Sequence, residues 1–230
     1  MLIIDAQVKT ELIQLPCFIN VKSISAIEQG YSHQSFKVID QNQVYFVKRL
    51  STFQTPEDNN LAGEISQRLS ITPTLIFSND CWQVFVYVDG LLLSLTSSSR
   101  KDKINTCIET MVICHQELSP IAMTIKSPTL NPKKVISELS NNLSKQQQRF
   151  ISKIADKLCK KLLILPITFC HGDINFSNII TEQQNWLIDF ECACLADAEF
   201  DIAMEQRFKK MDADGNGVVS KEEFKQNTKA

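Results

Sequence analysis

Apolar and polar positions change their rhythm once along this chain, near residue 90. Before it, "SISAIEQGYSHQSFKVID" and "VYFVKRL" read as strand runs, and the polar tetrad "DQNQ" between them predicts a hairpin turn. "TLIFSND" and "WQVFVYV" predict a further strand pair around a polar turn. One stretch, "TPEDNNLAGEISQRLS", follows a helical rhythm instead, with Leu61, Ile65 and Leu69 recurring every four residues. Thr55 is its candidate N-cap, Pro56 takes the first helical position and Asp58 completes a capping-box pattern. Asp89-Gly90 ends this strand-rich half.

From residue 98 the helical rhythm dominates. "SSRKDKINTCIETMVICHQEL" puts Ile104, Ile108, Met111, His115 and Leu118 on one face, and a second helix within 133–163 lines up Phe150, Ile154, Leu158 and Leu162. Pro166 stops that helix, and "ITFC" and "WLIDF" read as short buried strands. Strands first and helices second predict an α+β fold of two lobes, residues 1–89 and 90–204. After Asp201 the composition turns highly charged, which separates residues 205–230 as a third segment.

The balance of the 230 residues, 43% hydrophobic and 22% charged with a formal net charge of −2, is that of a soluble globular protein. No global basic field argues for nucleic acid or a membrane as partner. The first residues lack a basic region before their apolar ones and lack a cleavage site, and the run around "LLLSL" is far too short to span a bilayer. With eight scattered cysteines read as reduced, mostly buried thiols, the expected location is the cytoplasm.

Chemistry concentrates in "TFCHGDINFSNIITEQQNWLIDFE", residues 168–191. A kinase catalytic loop needs an Asp to accept the proton of an attacking hydroxyl, an Asn five positions on to hold a metal, and an Asp on the next hairpin to bind Mg²⁺ across the phosphates of ATP. Asp173, Asn178 and Asp189 stand in that order and spacing. Two carboxylates converging in a partly buried site repel unless a cation lies between them. "HGD" alone would read as a turn and "IDFE" alone as a strand end; their order, together with the first half, favours the functional reading. Gly30 lies between two strand runs where backbone N–H groups can approach phosphates, Lys48 alternates with apolar neighbours on a strand, and Glu64 on the next helix is placed to pair with it. No Walker A sequence occurs, which excludes a P-loop kinase.

Competing chemistries are weaker. Cys170 and His171 are neighbours on an extended segment and point to opposite faces, a poor nucleophile–base pair. Cys192 and Cys194 have no second cysteine pair to complete a zinc site. His171 reads as a structural hydrogen-bonder of the loop, and His115 as a satisfied core histidine.

On these motifs, residues 22–204 resemble the aminoglycoside phosphotransferase and choline kinase superfamily, small-molecule relatives of protein kinases. "HGDINFSN" resembles its Brenner-type catalytic motif, "IDFE" the choline-kinase form of its metal motif, "FDIA" its structural Asp (here Asp201), and "GYSHQSFKV" a thiamine and choline kinase nucleotide loop, with His33 where Asn is common. The resemblance implies a two-lobed protein-kinase-like fold, Asp173 as catalytic base, and Asn178 and Asp189 as Mg²⁺ ligands. It further implies nucleotide contacts from Gly30, Ser32, the Lys48–Glu64 ion pair and the hinge around Tyr87 and Val88. Such kinases continue past the "FDIA" region with helices of the acceptor pocket, so the resemblance implies a C-terminally truncated catalytic lobe.

In place of those helices stands "DADGNGVVSKEE", which fits a twelve-residue EF-hand calcium loop. Asp212, Asp214 and Asn216 take positions 1, 3 and 5, Gly217 the turn, Val218 a carbonyl ligand, Ser220 position 9 and Glu223 the bidentate place, with Phe208 and Phe224 set for flanking helices. A single hand lacks its usual partner, which leaves packing on the kinase lobe or homodimerisation through the hand open. Two functions therefore stand. One is an ATP- and Mg²⁺-dependent phosphotransferase acting on the hydroxyl of a small molecule, with Ca²⁺ in the C-terminal hand. The carboxylates Asp189, Glu191, Asp197, Glu199 and Asp201 make a cationic acceptor such as choline, ethanolamine, thiamine or an aminoglycoside one reading, and a solvated acidic loop the other. The second function is a calcium-binding protein on a catalytically impaired kinase-like scaffold.

Overall fold

The computed structural model describes residues 4–27, 34–41, 43–50, 56–122, 124, 129–130, 144–162, 167–202 and 213, with backbone alone for 56–60, 62, 155, 158–159 and 161–162. The first half is a five-stranded antiparallel sheet in the order β1-β2-β3-β5-β4, built from β1 (Val21–Ile27), β2 (Gln34–Asp40), β3 (Gln43–Arg49), β4 (Leu75–Ser78) and β5 (Trp82–Val86). Period-two alternation assigns its faces. Phe36 and Val38 on β2, Val47 on β3 and Trp82 and Val84 on β5 are buried together, while Lys37 turns outward over the ring of Tyr87.

An N-terminal helix that the sequence rhythm did not predict, α1 (Ala6–Ile13), covers that apolar face with Val8 and Leu12. It is only two turns long, too short for a periodic signal. Asp5 caps it by accepting the N–H groups of Gln7 (2.8 Å) and Val8 (3.3 Å), and Arg49 of β3 reaches Glu11 at 3.1 Å.

Helix α2 (Pro56–Arg68) starts on the proline, as expected, while Thr55 and the Asp58 side chain lie outside the described residues. Its apolar face turns away from the α1 core. Leu61 and Ile65, with Leu69 just after the helix, pack against Cys107, Met111, Cys114 and Leu118 of α3 (Arg100–Leu118) and against Phe169, Ile174, Phe176, Ile179 and Leu187. The second core therefore includes a helix from the first half of the chain, which fastens that helix beneath the 168–191 stretch.

Two predicted helix faces are met in part, with Met111 and Leu118 of α3 buried as expected and Ile104 half-buried against the core. On α3 the buried stripe is Cys107, Thr110, Met111, Cys114 and Leu118, and Ile108 stays 43% exposed. Small Cys and Thr side chains form the seam, Thr110 satisfying its hydroxyl on the Thr106 carbonyl at 2.7 Å, so a search for large apolar residues misjudges the face. On α4 (Lys145–Leu162) the helix forms as expected, yet Phe150 and Ile154 are 66% and 41% exposed.

The remaining strands hold the polar loops. β7 (Ile167–Cys170) pairs antiparallel with β10 (Cys194–Asp197), and β6 (Leu91–Leu92), β8 (Ile179–Thr181) and β9 (Asn185–Leu187) form a three-stranded sheet. At the lobe boundary a Cβ on Gly90 would lie 2.6 Å from the Thr181 carbonyl oxygen, so the crossing onto β8 requires glycine. Among the described residues no helix is long and apolar enough to cross a membrane.

Candidate active site

The loop between β7 and β8 is anchored from below by one carboxylate. Asp201, fully buried, accepts the backbone N–H groups of His171 (3.0 Å, Oδ2) and Gly172 (2.7 Å, Oδ1) and faces Nε2 of His115 at 2.8 Å. Three donors are what make a buried carboxylate tolerable. His115, expected only as a satisfied core histidine, thus connects α3 to the anchor of the loop. No spacing rule links residue 115 to residue 201.

Gly172 adopts φ +80°, and a Cβ there would lie 2.2 Å from the carbonyl oxygen of Cys192. The glycine of "HGD" lets the loop bend against the segment after Asp189. His171 completes the link, as its reading as a structural hydrogen-bonder implied. Its Nε2–H donates to the Ile188 carbonyl at 3.0 Å, which leaves Nδ1 to accept the Asp173 N–H at 3.2 Å, and Phe190 lies against its ring at 4.6 Å between centroids. Full burial lowers the pKa of His171 despite the nearby Asp201 carboxylate, so the neutral ring matches its hydrogen bonds.

On this support sit the three predicted residues. Asn178, in the short helical turn Phe176–Asn178, donates its Nδ2 to Asp173 Oδ2 and to the Asp173 carbonyl, both at 2.9 Å. Burial raises the Asp173 pKa, opposed by His171 and by the amides of Asn175 and Asn178. Asp189 follows β9 in the left-handed region (φ 69°, ψ 67°), where an Asp is tolerated better than most residues, and the turn Phe190–Cys192 begins behind it.

Lys48 reaches this loop from the first lobe. Its ammonium bonds Asp189 Oδ1 at 2.9 Å and also Glu191 Oε1. Burial works to raise the Asp189 pKa, but the charge and hydrogen bond of Lys48 hold it below the ordinary carboxylate value. The expected pair with Glu64 is not formed. Two carboxylates on the opposing loop compete for the same ammonium, and Glu64 is left with one buried oxygen that has no hydrogen-bond partner. Tyr87 is half-buried, bonded through its N–H to the Val44 carbonyl at 3.1 Å, and Val88 beside it is half-buried too. Gly30 and Ser32 of the nucleotide loop lie outside the described residues. So do all six calcium ligands, Asp212, Asp214, Asn216, Val218, Ser220 and Glu223, and the aromatic pair Phe208 and Phe224.

The donors suit a divalent cation. Asn178 spends its amide hydrogens on Asp173, and no described donor takes its Oδ1; Asp189 and Glu191 already converge on one positive charge, the Lys48 ammonium. A second cluster does not suit a metal. His115, Cys170 and Asp201 hold ligand atoms within 4.8 Å of one another, but Asp201 is committed to three donors, burial pushes the Cys170 thiol pKa up, and its Sγ–H points to the Asp197 carbonyl at 3.3 Å. Of the five carboxylates considered for a cationic acceptor, Asp189 and Glu191 bind Lys48 and Asp201 is buried, which leaves Asp197 and Glu199.

Residues 130–216 match the family model described as phosphotransferase enzyme family. No curated protein matches the chain. Among solved structures, the choline kinase LicA of Streptococcus pneumoniae is similar at a TM-score of 0.66 and 18% identity, over 91% of this chain and 76% of that one. A choline/ethanolamine kinase family protein of Mesorhizobium loti has a TM-score of 0.66 at 14% identity, over 91% and 72%. Spectinomycin phosphotransferase, solved with ADP and spectinomycin, has 0.58 at 16%, over 96% and 78%. The chain has the two-part, kinase-like α+β fold of these structures, and the segment that holds Asp173, Asn178 and Asp189 is the one the phosphotransferase enzyme family model matches.

Proposed function

We propose that this protein transfers the terminal phosphoryl group of ATP to the hydroxyl of a small molecule, with residues 1–89 binding nucleotide and 90–204 supplying the chemistry. The observation that carries the reading is the reach of Lys48 from the β3 strand to Asp189 at 2.9 Å, beside the Asp173–Asn178 pair. These are the groups that phosphoryl transfer needs at one point, and they come from both lobes.

Asp173 accepts the proton of the attacking hydroxyl, and its raised pKa makes it a stronger base than an ordinary carboxylate. Asn178 holds that carboxylate in place through Nδ2 and offers Oδ1 to Mg²⁺, with Asp189 as the second ligand. When bound, Mg²⁺ neutralises charge on the transferring phosphates. Lys48 binds phosphate oxygens, with Glu191 already on its ammonium and Glu64, whose buried oxygen has no partner, available to pair with it once nucleotide draws it from the 189–191 turn. Gly30, Ser32, Tyr87 and Val88 contribute to the nucleotide pocket. The acceptor class is supported by similar folds, which are a choline kinase, a choline/ethanolamine kinase family protein and a spectinomycin phosphotransferase. Asp197 and Glu199 favour a cationic amino alcohol among these.

The test is ATP consumption by purified protein with Mg²⁺ against choline, ethanolamine, thiamine and aminoglycosides. Turnover with one of them, lost in Asp173→Asn, supports the assignment. Failure to bind ATP·Mg²⁺ refutes it. A second reading rests on "DADGNGVVSKEE": residues 205–230 bind Ca²⁺, and the kinase-like body serves as a scaffold without turnover. ATP binding without phosphoryl transfer to any acceptor, together with calcium binding, favours that reading.

A further inference from the structure

Helix α4 carries a surface that the proposed phosphotransfer chemistry does not use. Its sequence, KQQQRFISKIADKLCKKL, holds six basic residues against the single acid Asp156, in a chain whose formal net charge is −2. The chain-wide balance conceals this local concentration. Lys145, Arg149, Lys153 and Lys157 follow one another at four-residue spacing and form one ridge. All four are exposed, and among the described residues none forms an ion pair. The first three, with Gln148 and Ser152, border an open concavity of about 540 Å³.

Phe150 and Ile154 sit one position along from Arg149 and Lys153, so an apolar row runs directly beside the cationic one. At 66% and 41% exposure these two large side chains face water. A solvated face does not need a phenylalanine, and a core face does not need a ridge of cations. The two rows together match a helix lying in an interface, with apolar side chains at the acyl boundary and long cationic stems reaching to phosphates. A second copy of this chain would bring two like-charged ridges together, and a soluble polyanion would leave Phe150 in water.

We propose that α4 docks on the surface of a membrane rich in anionic phospholipid, Phe150 and Ile154 entering the headgroup layer while Lys145, Arg149, Lys153 and Lys157 meet lipid phosphates. Each such cation strengthens attachment about five-fold at low salt, so three removed together should cost about a hundred-fold.

The experiment is co-sedimentation of the full chain with vesicles of equal phosphatidylserine and phosphatidylcholine, and with phosphatidylcholine alone, at low and high sodium chloride. The expected result is partition onto the anionic vesicles only, weakening with salt and reduced about a hundred-fold in the triple variant Arg149→Gln, Lys153→Gln, Lys157→Gln. Phe150→Gln should weaken it several-fold. Circular dichroism reports whether the triple variant keeps its helices; if it does not, the single Lys153→Gln and Lys157→Gln variants carry the test, at about five-fold each. No partition onto anionic vesicles, or unchanged partition in these variants, overturns the proposal. Displacement by inorganic phosphate beyond that by chloride at equal ionic strength would assign the cations to a free anion. A vesicle-free dimer that Phe150→Gln dissolves would assign the face to a second copy. Either result overturns membrane docking.

Discussion

Replacing Gly172 by alanine should damage this protein far beyond the one methyl group it adds. At φ +80° an L-residue carries a backbone cost of about 1–2 kcal/mol. The new Cβ would stand 2.2 Å from the Cys192 oxygen and 2.9 Å from its carbonyl carbon, so the loop must retreat by about 1 Å to reach ordinary contact. Retreat draws the Gly172 N–H away from Asp201 Oδ1, now at 2.7 Å, and a hydrogen bond to a charged partner is worth about 1.5–3 kcal/mol. The expected loss is about 3–5 kcal/mol, a large share of the roughly 5–15 kcal/mol that holds a domain folded. Urea unfolding followed by tryptophan fluorescence measures it. Gly63→Ala is the matched control: its Cβ would meet Leu75 Cδ2 at 3.5 Å, ordinary contact inside helix α2, and it should stabilise by about 0.5–1 kcal/mol. If Gly172→Ala stays within about 1 kcal/mol of the parent while the control behaves as stated, the contact between the catalytic loop and the 190–192 turn is misjudged.

Asp173→Asn should keep ATP·Mg²⁺ affinity within a few-fold and lower turnover by roughly 10²-fold or more, and parent turnover should decline on the acid side at a pH above the ordinary Asp value of 3.8, because burial raises this group; near-normal turnover by the variant on an identified acceptor removes Asp173 as base. Asp189→Ala should weaken nucleotide binding only when Mg²⁺ is present, and calorimetry showing unchanged ATP·Mg²⁺ binding counts against its ligand role. Burial holds the folded pKa of His171 below 6.5, so the unfolded chain takes a proton that the folded one refuses; stability should fall as pH drops through 6.5 and on towards the lowered folded value, by up to about 1.4 kcal/mol per unit. Denaturation curves from pH 7 to 5 should flatten in His171→Gln, and an equally steep parent and variant would assign the dependence elsewhere. Calcium should bind residues 212–223 at roughly 10⁻⁵–10⁻³ M, since a lone hand must order its own helices, and Glu223→Gln should weaken it markedly; sub-micromolar binding with no gain in helicity by circular dichroism contradicts an unpaired loop.

The stretch that gathers Asp173, Asn178 and Asp189 was legible as a cluster because its information is local. Asp173, Asn178 and Asp189 lie within seventeen residues, and the flanking runs that became β7 and β9 are short and apolar. The strand-then-helix order was legible for the same reason. Partners set by three-dimensional competition were not. A sequence places Lys48 on a strand and Glu64 on a helix, but not the two carboxylates of the 189–191 turn that take the ammonium instead. His115 read as one member of a helical stripe, because no pattern joins it to a carboxylate 86 positions away. On α3 the seam adds Cys107, Thr110 and Cys114 to the expected Met111 and Leu118, small side chains that a search for large apolar residues passes over, and on α4 Phe150 and Ile154 of the periodic face are exposed. In both helices the period marked the element without saying which of its residues would be buried.

Asp201 also imposes an order of assembly. The residues it holds, His171 and Gly172, precede it by 30 and 29 positions, and its other partner, His115, by 86. A chain emerging from the ribosome therefore presents "HGDINFSN" well before the carboxylate that shapes it. Until residue 201 has emerged, the bend at Gly172 has no acceptor for its N–H groups, and Asp173 has no fixed direction. The geometry of the 171–178 loop is thus completed late in synthesis, after α3 and both short sheets are available to dock. Nascent chains arrested before Asp201 should accumulate with strands and helices but no organised 171–178 loop, a built-in delay between making the polypeptide and shaping its candidate site.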